Sequence, residues 1–369
     1  MSYAEDPRVV LTLDAGGTNF VFSAARGERE VVAPVTLRSN AHDLTLCLET
    51  IVEGFTKVKE KAPAPPVAIS FAFPGPADYP NGVIGGLGNL PAFKGGGIAL
   101  GPMLADRFSI PVFINNDGDL FAFGEAIAGF LPWVNGLLAE GGSPKRFRNL
   151  FGATFGTGFG GGIVQDGRLW IGDNSAGGEI WLLRNKLGPK SNIEEAVSIR
   201  AIRREYARGA GIAFETAPEP KDIFEIAGGE KPGSRAGAIE AFRRMGEAAG
   251  DALASAITLV DGLVVIGGGL TGAADLFLPA LVAEMNSSYE TPSGPVPRLE
   301  VKAFNLENPA ERAAFVKGEA REVVVPGSDR KVAYDPLKRV GVGLSRLGTS
   351  QAVAIGAYAF ALAELDRRG

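Results

Sequence analysis

The sequence predicts an α/β protein of two lobes, and three observations carry that expectation. At 369 residues the chain is too long for one small core and suits two. Strand and helix patterns alternate through the first 130 residues. A strand ending in Gly-Thr then occurs a second time, and a strand ending in a glycine run a third, which is a weak internal repeat with one copy per lobe.

The elements follow in order. Residues 8–13 (RVVLTL) form a buried strand, and 20–25 and 30–37 are two more, rich in Val, Phe and Thr, separated by the turn Arg26-Gly27-Glu28. Helical periodicity runs over 43–61 through Leu44, Leu48, Ile51, Val52 and Phe55, and the prolines of 63–66 cannot continue it. Strands are expected at 67–73 and 111–114, with a short helix at 98–108 between them. The pattern begins again with strand 149–155 and a hairpin of 160–165 and 168–171 around Asp166-Gly167. A long helix spans 235–260, with Ile239, Phe242, Met245, Ala249, Leu253 and Ile257 on one face. Strand 263–266 and helix 274–287 follow. Between 289 and 346 six prolines and scattered charges suggest loops and short strands that decorate the second lobe. The last helix is expected over 349–367.

Composition narrows the function. The chain is 46% hydrophobic and 21% charged, with a net charge of -5, which argues against a nucleic-acid surface. No apolar run approaches the roughly 20 residues that span a bilayer. The start, MSYAEDPRVV, lacks a basic n-region and an apolar h-region. A cytoplasmic protein without a membrane or nucleic-acid partner is the expectation. Cys47 is the only cysteine and His42 the only histidine. An intrachain disulfide is impossible, and so is a structural zinc site, which takes four such ligands. His42 lies at a loop-to-helix junction and reads as a surface or capping residue. Proton transfer near neutral pH therefore falls to a carboxylate.

Three glycine loops end predicted strands: Asp14-Ala-Gly16-Gly17-Thr18-Asn19, Gly156-Thr157-Gly158 and Gly267-Gly268-Gly269. Glycine turns leave backbone N–H groups free to meet phosphate oxygens, and a threonine hydroxyl adds a donor. Each loop alone reads equally as a tight turn. None fits the Walker or dinucleotide pattern. Two such loops facing across a cleft would clamp a polyphosphate, with Asp14 holding magnesium directly or through water. The fourth element is INNDGDLFAFGE, at a strand-to-helix junction over 114–125. One of Asn115, Asn116, Asp117 and Asp119 serves as helix N-cap. Four polar residues exceed that need, at a strand end where open α/β sheets bind ligands.

Together, DAGGTN, the NND-to-GE helix start, GTGFGGG and SAGGE resemble the ROK family (repressor, open reading frame, kinase) over nearly the whole chain. The resemblance implies a two-lobed actin/hexokinase-like (ribonuclease H-like) fold with the active site in the cleft. The lobes would be 1–116 with 349–369, and 117–348, the latter with an irregular insertion at 289–346. It implies an ATP- and Mg-dependent kinase phosphorylating the 6-hydroxyl of glucose or a close relative. Asp117 would be the general base. Asn89 (in Gly88-Asn89-Leu90), Asn116, Glu179 and Glu194 would bind the sugar. Asp14, Gly16, Gly17, Thr18, Asn19, Gly156, Thr157 and Gly158 would contact the phosphates, and Gly267, Gly268 and Gly269 border the adenosine. A first-turn charge favourable to the helix dipole explains Glu194 equally. A homodimer is also implied.

Two departures stand out. Trp181-Leu182 replaces the family's Gly-His after the glutamate, and 185–192 (NKLGPKSN) lacks its zinc-binding cysteines. Trp181 would stack on a sugar or, more in keeping with its type, fill core. Kinases for fructose or an N-acetylated hexosamine, or a catalytically silent sugar sensor, are the alternatives. A repressor would need a DNA-binding module ahead of the first strand, where only seven residues precede it.

Overall fold

The computed structural model describes residues 3–88 and 90–368. It forms two compact units: Met1–Gly129 with Gly167–Gly177 and Thr349–Gly369, and Phe130–Asp166 with Gly178–Gly348.

In the first unit the strand Val9–Ala15 lies at the centre of a sheet. It pairs antiparallel with Asn19–Arg26 on one side and parallel with Pro66–Ala72 on the other, which in turn pairs parallel with Val112–Asn115. The single strand expected over 30–37 is instead two, Arg29–Glu30 and Val35–Arg38, both paired to Asn19–Arg26. Pro34, with no N–H to give a ladder, falls in the break. The helix Leu44–Lys61 is capped by Asp43, whose Oδ1 accepts the Leu46 N–H at 3.0 Å. It buries Cys47, Ile51, Phe55 and Val58 against the sheet. Edge-to-face rings run from Phe20 through Phe22 to Phe55 and Phe108, each pair adding about 0.5–1.5 kcal/mol beyond its buried area. The sheet's other side carries the helices Asp117–Ile127 and Thr349–Arg368, with Phe113 and Phe123 both set against Phe360. These helices cross backbone to backbone. A Cβ on Gly124 would strike the Ala352 carbonyl, and one on Gly356 the Leu120 carbonyl. That crossing groups residues 117–129 with the first unit, thirteen residues past the boundary expected at 116.

The second unit repeats the plan. Leu150–Phe155 pairs antiparallel with Phe159–Gln165 and parallel with Leu263–Gly267, which pairs parallel with Arg339–Leu344. Asp166 and Gly167, both at positive φ, close the tight turn that leads to the strand Arg168–Trp170. The long helix Arg235–Val260 packs its apolar stripe on the helices Ile199–Ala210 and Ala274–Met285, close enough that Gly246 and Gly250 admit no side chain.

The 289–346 segment is the main correction to the expected elements. It holds two strands of the central sheet, Lys302–Asn305 and Arg339–Leu344, and a helix, Pro309–Lys317. Only the hairpins Ser288–Thr291/Gly294–Pro297 and Arg321–Val324/Lys331–Tyr334 are decoration. The inner strand, RVGVGL, hides its apolar pattern behind glycines. Side chains at 341 and 343 would collide with Leu306 and Phe130 respectively. Its first residue, Arg339, is buried in an ion pair with Asp335 at 2.6 Å.

Among the described residues one helical stretch, Asp117–Glu140, is long and apolar enough to cross a membrane. It is 61% buried and divides at 128–129 into the helices Asp117–Ile127 and Phe130–Glu140.

Candidate active site

In the first unit the three parallel strands place their carboxyl ends along one edge of the sheet. The Val9–Ala15 strand ends there in the exposed carboxylate of Asp14 and the loop Gly16–Thr18. The hairpin is tight: a Cβ on Gly16 would sit 2.8 Å from the Asn19 carbonyl, whereas nothing lies within 4 Å of one on Gly17. Buried Ser39 fixes the loop by its carbonyl side, its N–H donating to Thr18 O at 2.9 Å and its Oγ to Gly17 O at 2.7 Å.

Two strands along, Val112–Asn115 ends at the same edge in Asn115, Asn116 and Asp117. Asn116 is the N-cap, its Oδ1 accepting the Gly118 N–H at 2.8 Å. Asp117 Oδ1 accepts the same N–H, also at 2.8 Å, so one backbone donor orients both side chains. Asp117 is exposed and opens the helix, where the dipole favours its negative charge. Asn115 and Asp119 point inward and are buried. Asn115 Nδ2 has no hydrogen-bond partner. Asn89 lies outside the described residues.

In the second unit Gly156–Gly158 and Gly267–Gly269 end neighbouring parallel strands and so come side by side. Gly268, at φ 95°, turns so close to the end of the first strand that any Cβ would run into the Phe155 carbonyl. Gly156–Gly158 is held from the other side by the start of the helix Ile199–Ala210. The Ile199 N–H donates to Gly156 O at 2.9 Å, and Arg200 Nη1 lies 3.4 Å from Thr157 O. Glu194 is part of this brace. Its Oε2 accepts the Phe159 N–H at 3.1 Å and its Oε1 accepts from Arg200 at 2.8 Å. A Cβ on Gly158 would lie 2.5 Å from that Oε2.

Arg200 also pairs with Glu195 at 2.7 Å. Its hydrogen bonds to Glu195 and Glu194 raise its pKa against the opposing effect of burial, and Arg200 in turn holds the Glu195 carboxyl below its usual range. Sequence reasoning missed both Ser39 and Arg200. A signal for Arg200 was present: it is the second residue after N-cap Ser198, where a positive charge opposes the helix dipole and needs a specific partner.

Glu179 is exposed and precedes the turn Ile180–Leu182, anchored by buried Ile180. The Trp181 indole N–H donates to Glu179 Oε2, while its ring packs against the core of the second unit. Leu182 is 59% exposed. The following loop closes on itself. Asn185 Nδ2 donates to Ser191 Oγ at 3.1 Å, Asn185 Oδ1 accepts the Leu187 N–H at 2.9 Å, and Ser191 Oγ donates to Gly188 O at 2.9 Å. Residues 181–192 offer no thiol or imidazole, so they do not fit a zinc ion.

The residues do fit a magnesium nucleotide. Open space at the Cβ positions of Gly17, Gly156 and Gly269 lets a phosphate approach the backbone. No cluster of three or more His, Cys, Asp or Glu exists among the described residues. Magnesium tolerates that, since one carboxylate plus phosphate oxygens and water is its usual shell.

The α/β plan, repeated in two units with glycine loops at the carboxyl ends of the strands in each, is that of the actin-like sugar kinases. The chain belongs to the ROK family, whose model matches residues 10–310. The crystal structure of glucokinase from Parabacteroides distasonis is 56% identical, with a TM-score of 0.91, over 98% of this chain and 99% of that one. Glucokinase of Thermotoga maritima is 26% identical over 291 residues, 74% of this chain and 85% of the relative. N-acetyl-D-glucosamine kinase of Vibrio cholerae is 28% identical over 272 residues, 70% and 83% of the two chains.

Proposed function

We propose that this sugar kinase transfers the γ-phosphoryl group of ATP, with magnesium, to the 6-hydroxyl of glucose. The carrying observation is the placement of Asp117: an exposed carboxylate at a strand's carboxyl end, aimed by the Gly118 N–H it shares with Asn116. In this reading Asp117 accepts the proton of the attacking hydroxyl as the phosphoryl group arrives. Asn116 spends its oxygen on the cap, which leaves its amide N–H groups for a sugar hydroxyl. Glu179, set by Trp181, accepts from a second hydroxyl. The backbone N–H groups of Gly16–Asn19 and Gly156–Gly158 meet the phosphates, and Gly267–Gly269 borders the adenosine. Asp14 would hold magnesium, directly or through water, and what the bound ion supplies is neutralisation of charge on the transferred group.

Glucose is favoured because the 56% identical glucokinase of Parabacteroides distasonis matches this chain almost end to end. A kinase for N-acetylglucosamine is the second reading, from the Vibrio cholerae relative. ADP release with ATP and Mg²⁺ over glucose, fructose, mannose, N-acetylglucosamine and N-acetylmannosamine separates them. The highest kcat/KM on glucose is expected. Preference for an acetylated sugar would overturn the glucose reading, and silence on every sugar would overturn the kinase assignment itself.

A further inference from the structure

We propose that Arg200 is a positioning residue that locks Gly156–Gly158 to the carboxylate of Glu194, making the loop and that carboxylate one rigid piece. The inference rests on reading Gly156–Gly158 as a phosphate loop. Glycine loops without a brace sample many conformations, and ordering them on ATP binding would cost affinity. Here two contacts hold the loop's carbonyls and two more link the residue after it, Glu194 and Arg200. Gly156 O accepts from Ile199 N, Thr157 O faces Arg200 Nη1, Phe159 N donates to Glu194 Oε2, and Glu194 Oε1 accepts from Arg200 Nη2.

The guanidinium is the only one of these groups that touches both the loop and the carboxylate. Its fork is filled: Nε and Nη2 both reach Glu195 Oε1, at 3.1 and 2.7 Å, which fixes the plane in which Nη2 meets Glu194. Ser198 adds a second hold, its Oγ donating to Glu194 O at 2.8 Å. Without Arg200, Glu194 would keep the Phe159 N–H but lose the side-chain partner that fixes its carboxylate beside Gly158.

Glu194 therefore has two of its acceptor sites committed within the protein.

The test compares the whole protein with Arg200→Met, Arg200→Lys and Arg200→Met/Glu194→Gln. Hydrogen exchange is read on a peptide covering 150–160, beside the KM for ATP, the kcat and the thermal midpoint. The expected result is faster exchange at 156–159 and at least a tenfold rise in the KM for ATP in Arg200→Met, with the midpoint within a few degrees of wild type. Arg200→Lys, which keeps the charge but not the fork, should fall between. The double variant should be no worse than Arg200→Met alone. Unchanged exchange in Arg200→Met and Arg200→Lys would overturn the inference, and so would faster exchange with the KM for ATP within twofold of wild type. The exchange reading does not depend on turnover. A wild-type protein that phosphorylates no sugar would remove the proposed function while exchange still decides whether Arg200 holds the loop.

Discussion

The two glycine hairpins occupy equivalent places in two equivalent sheets, yet they are held in different ways. Each follows the first strand of its sheet, with an antiparallel partner on one side and parallel strands on the other, two in the first unit and three in the second. The loop at Gly16–Thr18 is tied through two carbonyls to one residue, Ser39. The loop at Gly156–Gly158 is tied through the carbonyls of Gly156 and Thr157 to a helix start and an arginine, and the Phe159 N–H just after it to a glutamate. One topology thus carries a loop fixed by its carbonyls next to an exposed carboxylate, Asp14, and a loop braced by a carboxylate already committed. A cation-holding residue must keep its oxygens free, and a loop that only cradles phosphate gains from being pre-ordered.

That contrast can be broken at several points. The largest expected effect lies in the second unit's buried ion pair. Asp335→Asn leaves Arg339 charged and unpaired in the interior, at a cost of about 3–5 kcal/mol, measurable by urea unfolding. The same pair sets an acid limit. Burial pushes the Asp335 carboxyl up, but the hydrogen bond and charge of Arg339, together with the Glu319 and Leu337 N–H groups, outweigh it and the net shift is downward. A depressed carboxyl contributes its stability above the unfolded value of about 3.9 and loses it as pH falls through the lower folded value. Unfolding below about pH 4 should therefore be less steep in Asp335→Asn than in wild type.

Next come paired glycine substitutions. Gly158→Ala must push Glu194 aside, so the KM for ATP should rise about tenfold or more, roughly 1.4 kcal/mol, together with a lower thermal midpoint. Gly17→Ala meets no protein atom within 4 Å and should leave the midpoint unchanged. Its methyl instead occupies the space through which a phosphate would approach, so the KM for ATP should still rise several-fold. Equal loss of stability in both variants would erase the distinction between the loops. Smallest is Ser39→Ala, which removes one side-chain bond worth about 1 kcal/mol and should raise the KM for ATP no more than about fivefold.

Much of this was legible in the residues. The helix 235–260 begins and ends where its periodicity does, and the glycine loops sit at strand ends as their punctuation indicated. The chain could not announce the strand Arg339–Leu344, because Gly341 and Gly343 make room for Leu306 and Phe130 from distant segments. Nor could it choose the cap among Asn115, Asn116, Asp117 and Asp119, which depends on strand phase and on which side chain reaches the Gly118 N–H. The orientation of Glu194 escaped for the same reason: its partners, Phe159 and Arg200, come from a hairpin and a helix that only folding brings together.

The central claim is that Asp117 takes the proton while the glycine loops hold the nucleotide. Asp117→Ala should therefore lose about 10²–10⁴ in kcat on glucose, while its affinity for ATP with Mg²⁺, measured by calorimetry, stays within about threefold of wild type. Turnover near the wild-type rate in a folded Asp117→Ala protein would contradict the account.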